Sequence, residues 1–379
     1  MEASFPRFLR KRIFEPLGMT QSEPVITLDA RGRTAKSYCA FQNDRPYARF
    51  GRLCEAPAIV LTEASGCVAA TPHDMGLYVQ MIARHGEGPK GRILNDENFN
   101  LFSQAHVKAE EFGPTASYGY GIAVDALDGH KVVRHTGGMI SFASSMHVDI
   151  DEGVGAFASI NAMQGYRPNA VAQYAIQLMR AQRAKKSLPT AIEIAPATRV
   201  ENAANYAGTF QNADGKKLEF AAGNQQLFLV HGGQRIALEA QGGNIFLAAH
   251  PDFERFLLVF ARSDEKDPKS PVGEVGWGGD WYTGPQYKGP KTFDSPKEWD
   301  AYLGHYRNEN NWIGSIRIVR RKGTLMVDGV VPLEAQKNGT FRMADEESNT
   351  EWIQFFNVVN GRAMRIKLSG EDLWRVAAP

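Results

Sequence analysis

The sequence predicts an α+β chain: an antiparallel sheet packed with helices, followed by two small antiparallel β-barrels. Three observations predict it. Helical spacing marks residues 5–17 and 71–86, and period-two alternation takes over from Tyr118 to Ala162. In the C-terminal half, Tyr206-Ala-Gly-Thr-Phe returns as Tyr302-Leu-Gly-His-Tyr, 96 residues later.

Each element follows from local chemistry. Phe5, Phe8, Leu9 and Ile13 recur at helical spacing and stop at Pro16-Leu17-Gly18. Thr71 is a helix N-cap, Pro72 the first helical residue, and Asp74 lies three residues after the cap. Met75, Tyr78, Val79 and Ile82 form that helix's apolar stripe, and Gly86 ends it. YGYGIAV, HKVVRHT, FASSMHVDI and VGAFASINA then read as four strands, with hairpin turns at Asp128-Gly129 and Glu152-Gly153. A last helix spans about 169–185. Residues 188–203 carry two prolines and no period, which predicts a linker. Short alternating strands follow each copy of the repeat, giving barrels over 204–290 and 291–379 after a first domain over 1–187. SDEKDPKSPVGEVGWGGDWYTGPQYKGPKTFDSPKEW, rich in Gly, Pro and charge, predicts a long loop.

Composition excludes several classes of function. The chain has 379 residues, 43% apolar and 22% charged, with a net charge of +1. That balance implies no basic face, so no nucleic-acid partner is expected. No apolar run approaches the roughly 20 residues that span a bilayer, and MEASFPRFLRKRIFEPLGM lacks the apolar core of a signal peptide. Localisation stays unknown, cytoplasmic as expressed. Cys39, Cys54 and Cys67 show no CxxC spacing and read as buried free thiols. No His/Asp/Glu cluster has ligand spacing, so no metal and no cofactor are expected.

PLGM after an amphipathic helix, ASGCVAATPHDM before the next, then YGYGIAV and RHTGGMISFASSMHV together resemble the serine β-lactamase-like hydrolases. That group includes class C β-lactamases, penicillin-binding-protein-like carboxypeptidases, D-aminopeptidases and carboxylesterases. The resemblance covers about 4–185, and the two trailing repeats resemble the lipocalin-like barrels of D-aminopeptidase-type members. It implies a site built from a Ser-x-x-Lys nucleophile, a Tyr-x-Asn proton carrier and a Lys/His-Thr-Gly strand. His135-Thr136-Gly137 matches the third element. By the family pattern His135 and Thr136 orient a substrate carboxylate or carbonyl, Gly137 admits a close backbone approach, and the Gly138 N–H is an oxyanion donor.

The first two elements are not matched. The one Ser-x-x-Lys, Ser263-Asp264-Glu265-Lys266, falls in a charged stretch after the third motif and reads as a chance match. The family places both missing motifs before the PLGM helix, so the sequence predicts a truncated hydrolase domain. Ser65, Ser141, Ser144 and Ser145 have no Lys, His or Tyr base at a defensible spacing, and nothing near Cys67 argues for a lowered pKa. Tyr118, Tyr120, His73 and His147 read as structural. Trp277, Trp281 and Tyr282, with Tyr287, form an aromatic cluster that could pack a barrel mouth or line a substrate lid.

Two functions follow. One is a hydrolase of an ester, amide or lactam, acting on a small-molecule substrate. The other is a non-catalytic ligand-binding or structural protein, or a hydrolase with a carboxylate-based, glycosidase-like mechanism using a pair among Glu63, Asp74, Glu110, Glu111, Asp125 and Asp149. A half-domain with uncovered apolar sheet would favour a homo-oligomer.

Overall fold

The computed structural model describes residues 4–40, 53–56, 66, 68–139, 141–162, 168–191, 196–263, 270–310, 313–343 and 350–377. They form two compact units that meet in sequence near residue 193.

In the first unit Phe5–Leu9, Arg10–Phe14 and Glu15–Leu17 run on as helical segments, the middle one wound with π-type turns. The wider winding advances the buried face, so Leu9, Ile13, Phe14 and Leu17 reach the core while Phe8, expected in the stripe, is exposed. Gly18 ends the helix at φ +77°, in the left-handed region that favours glycine. In the Pro72–Ala83 helix the Thr71 side chain accepts the Asp74 N–H, as its sequence predicts. Val79 and Ile82 are fully buried there. The Asp74 carboxylate, also buried, accepts from the Gln21 N–H and Ser22 Oγ, both at 2.8 Å, which pins the chain after the first helix.

Two short ribbons belong to this unit: β1 (Tyr38–Ala40) with β2 (Leu53–Glu55), and β3 (Glu87–Gly88) with β4 (Gly91–Arg92). The main sheet has six antiparallel strands in the order β10-β9-β8-β7-β6-β5. They are β5 (Val107–Lys108), β6 (Ser117–Tyr118), β7 (Ala123–Leu127), β8 (His130–Met139), β9 (Phe142–Asp149) and β10 (Val154–Ile160). Alternation explains both faces. Val124, Val133, Met146 and Val148 pack with the N-terminal helix and the Pro72–Ala83 helix. Val132 and Val154 pack on Ile176 of the Pro168–Arg183 helix. Gly155 is required by the first of these interfaces, because a Cβ would run into Val79.

The second unit holds two closed, eight-stranded antiparallel barrels. The first runs from Gly208–Gln211 to Asp280–Thr283, which pair to close it. Phe210, Phe220, Leu229, Leu238, Phe246, Leu258 and Phe260 fill it. The second runs from Gly304–Arg307 to Glu371–Val376 and closes through His305↔Val376 and Tyr306↔Arg375. The repeated motif marks the same point in both copies, since Gly208 and Gly304 each begin a first strand.

One expectation is corrected. The stretch read as a long loop contains two strands, Val272–Trp277 and Asp280–Thr283, which complete the first barrel. Its glycines suggested turns, but Gly276 lies within a strand and is needed because the Arg321 guanidinium occupies the space a Cβ would take. Arg321 donates to the Gly278 carbonyl at 3.1 Å and Lys322 to Glu274 at 2.8 Å, joining the two barrels.

Candidate active site

The candidate site is the far half of β8. Its pairing with β7 runs from Leu127↔His130 to Ala123↔Arg134, whereas its pairing with β9 continues to Met139↔Phe142. His135 to Met139 therefore project past β7. One edge of this segment is bonded to β9, and no strand among the described residues pairs with the other. An unpaired strand edge presents backbone N–H and C=O groups to whatever lies beside it.

His135 is half-buried at the start of this overhang and makes two hydrogen bonds. Its Nδ1 lies 2.6 Å from the Thr136 carbonyl oxygen and its Nε2 2.7 Å from the Tyr118 hydroxyl. A carbonyl only accepts, so Nδ1 carries the proton. In the neutral ring Nε2 is then the acceptor, and Tyr118 donates to it. Tyr118, expected to serve packing alone, is thus the group that orients His135. Phe112 closes the cluster, with its ring centroid 5.5 Å from Tyr118 and 5.4 Å from His135. Arg134 stacks over Phe112 and pairs with Asp125 at 2.8 Å. Burial opposes the Asp125 carboxylate, but the Ala126 N–H, Arg134 and Thr115 outweigh it and hold its pKa below the usual range.

Thr136, Gly137 and Gly138 are exposed along the overhang. A Cβ on Gly137 would lie 2.7 Å from Ser144 Oγ, so any larger residue there must turn that hydroxyl aside. A Cβ on Gly138 would meet nothing within 4 Å among the described residues, which leave the space beside it open. Ser141, just past the turn, is buried with φ +61°.

The other candidates are placed as follows. Ser145 Oγ donates to Asn169 at 3.3 Å, on the side of the sheet facing the Pro168–Arg183 helix. His147 Nε2 donates to the same Asn169 oxygen at 2.8 Å, and burial pushes its pKa down. Ser263 Oγ donates to the Pro271 carbonyl at 3.2 Å, while Lys266 lies outside the described residues. Glu63, Ser65 and Cys67 also lie outside them. Asp74 anchors Gln21 and Ser22, Asp125 pairs with Arg134, and Asp149 is buried against Arg180. These three acids are committed to structure. In the second unit Tyr282 is buried in the first barrel's core, Trp277 donates to the Phe256 carbonyl at 3.2 Å, and Trp281 donates to Glu274 at 2.5 Å. Barrel packing thus explains the position of each.

Residues 1–181 match the family model described as Beta-lactamase. The first unit is accordingly a serine β-lactamase-like domain. No curated protein matches the chain.

Among solved structures, the chain is similar to the octameric penicillin-binding protein homologue from Pyrococcus abyssi, at 19% identity and a TM-score of 0.45, covering 74% of this chain and 60% of that one. It is also similar to a D-stereospecific amidohydrolase from Streptomyces sp., at 18% identity and a TM-score of 0.34, covering 48% and 49%. A third is the D-amino acid amidase from Ochrobactrum anthropi SV3, at 21% identity and a TM-score of 0.34, covering 48% and 54%. The chain spans less than two thirds of the length of each of these structures. No described helix is long and apolar enough to cross a membrane.

Proposed function

We propose that this chain carries the substrate-binding wall of a hydrolase acting on an ester, amide or lactam. The observation that supports the reading best is the overhang of β8, where His135 to Met139 offer an unpaired strand edge beside open space at Gly138. An acyl substrate with a peptide-like backbone pairs along such an edge as an added strand. The Gly138 N–H then donates to the carbonyl oxygen as it gains charge. Thr136 offers a hydroxyl to a substrate carboxylate. His135, held by Tyr118 on one side and the Thr136 carbonyl on the other, keeps a fixed orientation at the entrance.

The nucleophile is the unfilled role. A serine hydroxyl needs a base within hydrogen-bonding reach, and Ser145 and Ser263 bond instead to Asn169 and to a backbone carbonyl. We infer that this chain positions a substrate and that covalent chemistry requires a serine and lysine other than these. The carboxylate-based alternative is disfavoured by the structural roles of Asp74, Asp125 and Asp149.

Intact mass after incubation with a fluorophosphonate and, separately, a penicillin tests the covalent part, with an unchanged mass on folded protein expected. Titration with a D-amino acid amide, followed by backbone amide NMR, tests the wall. Shifts centred on Gly137 and Gly138 are expected. Shifts confined to the barrels would overturn the assignment in favour of a ligand-binding second unit.

A further inference from the structure

The first barrel brings His231 against His250 and Asp252, which share one turn two strands further along the chain. His231 ends the Gln226–His231 strand, and His250 and Asp252 sit in the turn after Ile245–Ala248. His231 Nε2 lies 2.7 Å from Asp252 Oδ2, and His250 Nδ1 lies 3.9 Å from the same oxygen. One ligand atom from each of the three falls within 4.8 Å of the others. The rings do not hang free in solvent. Their centroids are 5.1 Å apart, and both pack edge-on against Phe253, which is buried. The donors are thus held together at one end of the barrel while their outer sides remain open to solvent.

From this geometry we propose that His231, His250 and Asp252 form a binding site for one divalent transition-metal ion of the zinc class. Two imidazole nitrogens and one carboxylate oxygen suit a borderline cation such as Zn²⁺, Ni²⁺ or Cu²⁺ and do not suit Mg²⁺ or Ca²⁺, which take oxygen ligands. Three protein ligands leave at least one position for water, which is the open form of such a site. Two local changes accompany binding. The proton on His231 Nε2, now shared with Asp252, moves to Nδ1. The Asp252 N–H, which donates to His250 Nδ1 at 3.2 Å, gives up that bond. Loss of that bond makes the site weaker than a closed structural zinc site and dependent on the ion supplied. It is independent of the hydrolase reading, being built within the second unit alone.

The test is calorimetric titration of the chelator-stripped full chain with Zn²⁺, repeated with Co²⁺ while following its visible absorption. One equivalent is expected, with the intense d–d bands of a low-coordinate ion. His231→Gln and Asp252→Asn are each expected to weaken binding at least about tenfold. His130→Ala, in the other candidate group of His130, Asp149 and Asp151, is expected to leave it unchanged. Tryptophan fluorescence melts check that each variant keeps its barrels. Absence of heat and of the Co²⁺ bands overturns the proposal, as does full binding in a His231→Gln/His250→Gln double variant.

Discussion

Asp149→Asn probes how β9 is tied to the Pro168–Arg183 helix. Asp149 is fully buried and Arg180 nearly so. One carboxylate oxygen accepts the N–H groups of Asp151 and Glu152 at 3.0 and 2.9 Å, and the other receives Arg180 Nε. Asparagine is nearly the same size and keeps one oxygen for the turn. It removes the charge and presents either a neutral oxygen or an N–H to a guanidinium sealed beneath the helix. Arg180 keeps its bonds to the Leu127 carbonyl at 3.1 Å and to exposed Asp128 at 3.3 Å but loses its buried counter-charge. That places the cost at the lower end of about 3–5 kcal/mol, roughly a hundredfold in an opening equilibrium.

The assay exploits where the tryptophans lie. All six occur at or after Trp277, so indole fluorescence reports the barrels and is blind to the first unit. Hydrogen exchange by mass spectrometry on peptides covering β8 to β10 and the helix reads the first unit directly. Exchange there should accelerate about a hundredfold while the fluorescence melt stays in place. Adding Arg180→Met should recover much of the loss, because the stranded cation goes with it. Acceleration below about tenfold, or no recovery in the double variant, would refute the reasoning.

Gly137→Ala should destabilise the first unit by about 1–3 kcal/mol, because its Cβ meets Ser144 Oγ at 2.7 Å. Ser144→Ala in the same chain should relieve most of that, and a urea titration followed by exchange at β8 and β9 decides it. His147 gives a pH dependence. Burial, partly offset by Asn169, keeps its pKa below the ordinary 6.5, so on acidification the unfolded ring takes up a proton that the folded ring refuses. First-unit stability is therefore complete above 6.5 and lost as pH falls from there through the folded pKa. His147→Gln should flatten that slope, and an unchanged slope would show that other groups cause it.

Cys39 and Cys54 face each other with sulfurs 4.0 Å apart, within reach of a bond of about 2.05 Å once the side chains rotate. Oxidised glutathione should remove about 2 Da and two of the three thiols. Burial, then the neighbouring Cys54, raises the Cys39 pKa above the ordinary 9.0, so the reaction should quicken as pH rises. A stable glutathione adduct without closure would show that the ribbon cannot bring the sulfurs together.

Local chemistry alone determined the helix start at Thr71-Pro72, the last three strands of the main sheet and the repeat behind the two barrels, whereas YGYGIAV, read as one strand, is split between β6 and β7 by a turn over 119–122. A cap, a period and a turn dipeptide act over a few residues, and the chain cannot conceal them. The His135-Thr136-Gly137-Gly138 motif was legible for the same reason, as a short run with an unusual glycine pair. Glycines that serve packing were not, so Val272–Trp277 read as loop until the Arg321 side chain beside Gly276 explained its composition. Tertiary structure alone decided everything that depends on distance across the sequence. Tyr118 became the partner of His135 because β6 and β8 flank the same strand. The open edge exists because β7 begins only at Ala123, opposite Arg134, while pairing with β9 continues to Met139. His231, His250 and Asp252 meet because the strands Gln226–His231 and Ile245–Ala248 both pair with Gln234–Gly242 and so end on the same side of the barrel, and no spacing rule along the chain encodes that meeting.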